Sequence, residues 1–144
     1  NGINKNAKHI AKIRQTSGWG GLYFGGTAFK KQRLVPVNRI GDAAQQACGF
    51  MDVVTTSGMA TGQPPEIDKI AMFRASIGDR PLAVASGITP SNALCYSDVD
   101  CFMVATGINK NDNFYEIDRQ RLARLMKTTR DLGRGDFGEK RSQR

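Results

Sequence analysis

Histidine is nearly absent from this chain: His9 is the only one. A multi-histidine metal site within the chain is therefore excluded, and a histidine-based catalytic triad has little to build on. Cysteine is also scarce. Cys48, Cys95 and Cys101 are odd in number and lack the short paired spacing of a zinc site. Cys48 and Cys101 sit among apolar neighbours and are expected to be buried free thiols, in keeping with a reducing compartment. No apolar run approaches the roughly 18–20 residues that span a bilayer, and no signal-peptide pattern opens the chain. The expectation is a cytoplasmic protein with no membrane partner, and no motif calls for a cofactor or a metal. The first residue is Asn1 rather than Met, so a processed or excised segment is expected.

Acid is missing from one region altogether. Residues 1–41 hold Lys5, Lys8, Lys12, Arg14, Lys30, Lys31, Arg33 and Arg39 and no Asp or Glu. These eight account for the whole formal excess of +8, because the other 13 basic residues balance the 13 acids. Such asymmetry suits an anionic partner, nucleic acid or a phosphate-bearing ligand, or equally an acidic segment outside this sequence.

What is present is a regular alternation. Ile3, Ala7, Ile10, Ala11 and Ile13 follow helical spacing over residues 1–15, with Asn4 or Asn6 as N-cap. Residues 21–30 are β-prone and interrupted by Gly25-Gly26. Asn38 is expected to cap a helix over 39–49, and 51–55 is the next strand. A helix over 66–77 has Ile67, Ile70, Ala71, Phe73 and Ile77 on its apolar face, with Asp68, Lys69 and Arg74 left to solvent. Strand 82–85 is all apolar, as in a sheet covered on both faces. A short helix over 91–96, a strand over 101–105, and a helix over 119–132 capped by Asp118 complete the order. Leu122, Ala123, Leu125 and Met126 lie on one side of that last helix, and 134–144 reads as a disordered basic tail.

Strands alternating with helices imply a parallel sheet, either doubly wound or part of a (β/α)8 barrel. Three consecutive strands end in Ser57-Gly58, Ser86-Gly87 and Thr106-Gly107, which places three open loops on one rim. In both architectures that rim is where ligands bind. Asp52 and Asp100 fall at strand starts, on the opposite rim, and are expected to be structural. Gly2-Ile3-Asn4-Lys5-Asn6 recurs as Gly107-Ile108-Asn109-Lys110-Asn111, each before a helix, as in a barrel of two similar halves. Four strands cannot close a barrel, so residues 1–133 are expected to be the C-terminal half of a TIM (β/α)8 barrel.

The string Val54-Thr55-Thr56-Ser57-Gly58-Met59-Ala60-Thr61-Gly62, the later Ser86-Gly87-Ile88-Thr89-Pro90-Ser91-Asn92 and the strand leading into Gly107 together resemble the BtpA family of (β/α)8 barrels. The resemblance covers roughly residues 20–130, judged on the order of these loops. It implies a cytoplasmic barrel related to phosphate-binding barrels, with a role in photosystem I biogenesis or sugar metabolism. The amino half of such a barrel is absent from this sequence, so any catalytic group it contributes cannot be named.

On this reading Ser86, Gly87, Ile88, Thr89, Gly107 and Ile108 are the phosphate-binding candidates, through backbone N–H groups and hydroxyls. Ser57, Gly58, Thr61 and Asn109 are the substrate-binding candidates, and Asn92 orders the short helix. Lys30 and Lys31 are the catalytic candidates: either can neutralise an anion, or form a Schiff base if desolvated. Three classes stay open. One is an enzyme on a phosphorylated sugar or nucleotide-like metabolite. Another is a non-catalytic assembly or regulatory factor. The third is a nucleic-acid-binding domain, with Lys5, Lys8, Lys12 and Arg14 near Trp19, Tyr23 and Phe24, though without a recognition motif. Homo-oligomerisation, or a complementary amino-terminal half, is expected to cover the open seam.

Overall fold

The computed structural model describes residues 6–110 and 113–134. The first copy of the repeated pentapeptide up to Lys5, Asn111 of the second copy, and the tail from residue 135 lie outside them. Helix α1 (Ala7–Ser17) leads, and is closed by Gly18 in the left-handed conformation. Strand β1 (Phe24–Gly26), helix α2 (Ile40–Ala47), strand β2 (Val53–Thr56), helix α3 (Ile67–Ile77), strand β3 (Leu82–Val84) and strand β4 (Cys101–Phe102) follow. The four strands are parallel and lie in the order β1-β2-β3-β4, so the expected α/β alternation is present without a reversal of winding. The ladder runs past the labelled ends, with Thr27, Ala85 and Met103 donating to Thr55, Thr56 and Val84.

Register divides the sheet's two faces. Val54, Leu82 and Val84 point to the helices and form the core with Ala44 of α2 and Ile70, Phe73 and Ile77 of α3. Phe73 is fully buried, which contributes up to about 3 kcal/mol. Helices α2 and α3 pack on each other over this face. The middle of the opposite face belongs to Val53, Thr55 and Ala83, small or β-branched side chains that are all buried.

Several local expectations are corrected. Asn38 caps nothing: it lies inside a 3-10 turn (Val37–Arg39), and Arg39 occupies the cap position of α2. Ile67, Ala71, Ala123 and Met126 are exposed, so the buried stripes of α3 and of the last helix are narrower than the apolar pattern. Cys48 and Cys101 are half-buried rather than buried, and Cys95 is exposed. The segment after Pro90 is only a 3-10 turn (Ala93–Tyr96), pinned by the Tyr96 hydroxyl donating to the Pro65 carbonyl at 2.7 Å. After β4 the chain does not go straight into a helix. Strands β5 (Asn109–Lys110) and β6 (Asn113–Ile117) first form an antiparallel hairpin, with Phe114 and Tyr115 exposed. Helix α4 (Arg119–Arg134) then starts as expected, with Asp118 Oδ1 accepting the Gln120 and Arg121 N–H groups at 2.9 and 3.0 Å.

Candidate functional site

The carboxyl ends of the four strands share one rim, and their loops are tied to one another in sequence. The first tie is Lys69, in the opening turn of α3. Its Nζ donates to the Ala28 carbonyl at 2.6 Å and the Ser57 carbonyl at 2.8 Å, joining the loops after β1 and β2. Lys69 is therefore half-buried rather than solvated, and desolvation holds its amine below the ordinary 10.5. Ala28 and Lys31 have φ of 46° and 62°, a left-handed conformation that disfavours side chains by about 1 kcal/mol or more each. Lys69 and Gln32, whose Nε2 donates to Gly26, hold that loop in shape.

Ser57 makes a second link in the same place. It is fully buried, accepts the Lys30 N–H at 2.8 Å and donates to the Gly58 carbonyl. The Gly58 N–H in turn goes to Ser86 Oγ at 2.9 Å, which joins the loops after β2 and β3. At Gly87, with φ of 67°, an added methyl would collide with the Gln63–Pro64 backbone; at Gly107 it would collide with the Ile88 carbonyl. The bare faces of these glycines are thus filled by the neighbouring loop. Gly87 is needed for chain-to-chain approach as well as for its positive φ.

Asn92 orders the loop after β3: Oδ1 accepts the Thr89 N–H and Nδ2 donates to the Gly87 carbonyl, both at 2.8 Å. The Ile108 N–H is donated to Ala105. Two of the candidate backbone donors are accordingly used inside the loops. Pro90 lies in a turn, and no α-helix starts there.

Two cavities open on this rim. A small one, about 70 Å³, is lined by Lys30, Thr61, Ser86, Gly87, Ile88 and Thr106 among others. A larger one, about 490 Å³, lies between Thr89, Ser91, Thr106 and Gly107 on one side and Arg121 and Arg124 of α4 on the other. The candidates brought together are Lys30, Thr61, Ser86, Gly87 and Ile88 around the first, and Thr89 and Gly107 at the second. Ser57 and Gly58 brace the loops behind them. Lys31 is exposed and lines neither cavity, and Asn109, buried in β5, offers its carbonyl to Arg121 at 2.6 Å.

Sequence reasoning missed Lys69, Arg121 and Arg124. A signal existed for the first: Lys69 lies one turn before Phe73, on the flank of the buried stripe. A third cavity, about 360 Å³, lies between the loop after β1 and α2, lined by Thr27, Ala28, Val35, Ala47 and Met51 among others.

The opposite rim carries ion pairs. Asp52 accepts the Tyr23 N–H and Arg14 Nη2, each at 2.6 Å, and Asp100 accepts the Leu82 N–H and Arg74 Nη2 at 2.9 and 2.7 Å. Both carboxylates have the expected structural role. The Tyr23 hydrogen bond, then Arg14, holds the Asp52 carboxyl below the ordinary 3.8. Arg14 also lies over the Trp19 and Tyr23 rings at 5.4 and 5.5 Å, so that part of the basic segment is engaged internally. His9 is exposed on α1 and lines none of the three cavities. Among the described residues no group of three His, Cys, Asp or Glu is placed to hold a metal ion, and no helix is long and apolar enough to cross a membrane.

Fold and site together define an α/β protein whose parallel, singly wound sheet carries a polar, lysine-bearing rim. No protein-family model matches the chain, and no solved structure does. It is similar to an uncharacterized protein of Thermococcus kodakarensis, 31% identical over 86 residues. That match covers 58% of this chain and 33% of the relative, so the chain spans about a third of the relative's length.

Proposed function

We propose that the chain is half of a (β/α)8 barrel of the BtpA type, and that its carboxyl rim binds a phosphorylated small molecule such as a phosphosugar or a nucleotide-like metabolite. The observation that carries this is the rim itself: successive strand-end loops, braced by Lys69, Ser57 and Ser86, surround cavities lined by hydroxyls and basic side chains. Ligands in parallel α/β folds sit at that end because the loops there are free to vary while the strands hold them in place. The half-barrel reading is supported by the unreversed strand order, by α2 and α3 packed together on one face, and by the small side chains in the middle of the other. A closed barrel would enclose that second face and pair the outer edges of β1 and β4.

Among the described residues neither cavity is lined by a carboxylate or by histidine, so no general base stands beside the serine and threonine hydroxyls there, and Lys30 is the one amine. Binding is accordingly the core of the proposal. Turnover of phosphate esters by the completed barrel would separate an enzyme from a binding or assembly factor. Titrating the chain with inorganic phosphate and with a pentose phosphate, followed by amide chemical shifts, tests binding: movement is expected within 86–91 and 106–109, and none there would overturn it. Sedimentation tests the half-barrel. Self-association through the open sheet edges is expected, and a monodisperse, cooperatively unfolding monomer contradicts it.

A further inference from the structure

The two rim cavities are not equivalent, and Thr106 lines both. The inner one, about 70 Å³, has room for only a few waters. The outer cleft, about 490 Å³, falls within the roughly 300–1,000 Å³ of small-molecule sites. Resting on the phosphorylated-ligand reading, we infer that the outer cleft is the subsite for a phosphate monoester dianion, held by Arg124 and Arg121 with the Thr89 and Ser91 hydroxyls. The organic part of the ester then runs past Thr106 toward Lys30.

The arginines supply what the loops lack. Two nearby backbone N–H groups, of Thr89 and Ile108, are already bonded within the loops, so charge must come from side chains. Arg121 and Arg124 are three residues apart, hence on one side of α4, and both line the cleft. Arg121 is fixed by the Asn109 carbonyl and lies 3.6 Å from Asp118, which offsets its charge. Arg124 makes no ion pair within 4.0 Å among the described residues, although Asp118 feels its field. The cleft thus has a net positive charge of about one and a free planar fork, which matches phosphate oxygens in pairs. Across from it, Thr89 Oγ1 and Ser91 Oγ are 2.9 Å apart. One proton serves that mutual bond, and the other hydroxyl proton is left to donate to the ligand.

The test uses the full chain, a pentose phosphate and the same pentose without phosphate, read by amide shifts. Shifts at Thr89, Ser91 and Gly107 with the phosphate ester alone are expected. Arg124→Gln, at an exposed position, should leave the melting temperature unchanged and weaken binding about tenfold, the size of a lost charged hydrogen bond. Lys127→Gln, on the same helix and pointing into solvent, should leave affinity within about twofold, as for any screened surface charge. Equal weakening by both variants would mean general charge attraction and would overturn the inference. Shifts confined to Lys30 and 86–88, indifferent to Arg124→Gln, would overturn it while leaving rim binding intact. No shift anywhere on the rim would remove both.

Discussion

The two ends of the sheet use the same elements in opposite ways. At the amino rim, a carboxylate at each of two strand starts takes one N–H from the neighbouring strand and one guanidinium from a helix. Asp52 with Arg14 and Asp100 with Arg74 repeat the arrangement two strands apart. Charge is neutralised in place, and little is left for a ligand. At the carboxyl rim the helix charge that ties the strand-end loops, Lys69, meets carbonyls instead of a carboxylate. The loops there are held by uncharged hydroxyls and by glycines in backbone contact. The difference teaches how one sheet keeps a closed end and a receptive end: paired charges seal the first, while the second keeps its positive charge.

The largest effect should come from the glycines that mark this contrast. Gly18 and Gly87 both have left-handed φ, 66° and 67°, but only Gly87 has backbone against it. Gly18→Ala, at the end of α1, should destabilise by about 1 kcal/mol from conformation alone. Gly87→Ala should destabilise by about 3 kcal/mol or more, because the Gln63–Pro64 backbone must move as well. Urea denaturation of the two variants measures the difference, and equal losses would mean that the rim loops are not packed as described.

Next in size is Lys69→Met, which removes a donor from the Ser57 carbonyl and leaves the Ala28 carbonyl only the long Thr56 hydroxyl bond at 3.5 Å; it should lower stability by about 2 kcal/mol, discounted for partial exposure. Its pH signature has a definite sign. Because burial lowers the folded amine below 10.5, the unfolded chain binds more protons between the two values, so wild-type stability rises with pH across that alkaline window. The variant should lose the rise. Melting curves from neutral to alkaline pH would show it, and a parallel pair of curves would refute a desolvated Lys69.

The smallest effect belongs to the sealed rim. Asp52 is depressed below 3.8, so its contribution is present above the unfolded value and disappears as pH falls through the folded one. Asp52→Asn should lower stability modestly at neutral pH, where that contribution is present, and converge on the wild type below about pH 4, which flattens the acid limb of the profile. Unchanged acid sensitivity in that variant would show that the amino-rim carboxylate is a bystander.

Strand and helix positions were legible where short-range chemistry decides them. The β-branched run Val53–Thr56, the apolar Leu82–Val84 and the Asp118 cap each carry their own cause within a few residues. The placement of hydroxyl–glycine pairs on one rim was legible too, since parallel strands put all their carboxyl ends together. By contrast, Asn38 was read as a cap on composition alone, and a preceding 3-10 turn took its place. The β5–β6 hairpin was hidden because Asn113–Ile117 is exposed along its whole length, so no buried-and-exposed alternation announces it.

By itself, then, the sequence determined the α/β alternation, the single rim and the absence of a histidine-rich site, because these follow from periodicity and inventory. Tertiary structure alone decided what the rim residues do. Lys69 became a brace because two carbonyls 12 and 41 residues distant converge on it. Gly87 and Gly107 became loop contacts because backbone from other segments fills the space beside them, and Arg121 and Arg124 joined the rim because α4 begins against the loop after β3. Each of these depends on which distant atoms approach, and no local pattern encodes that distance.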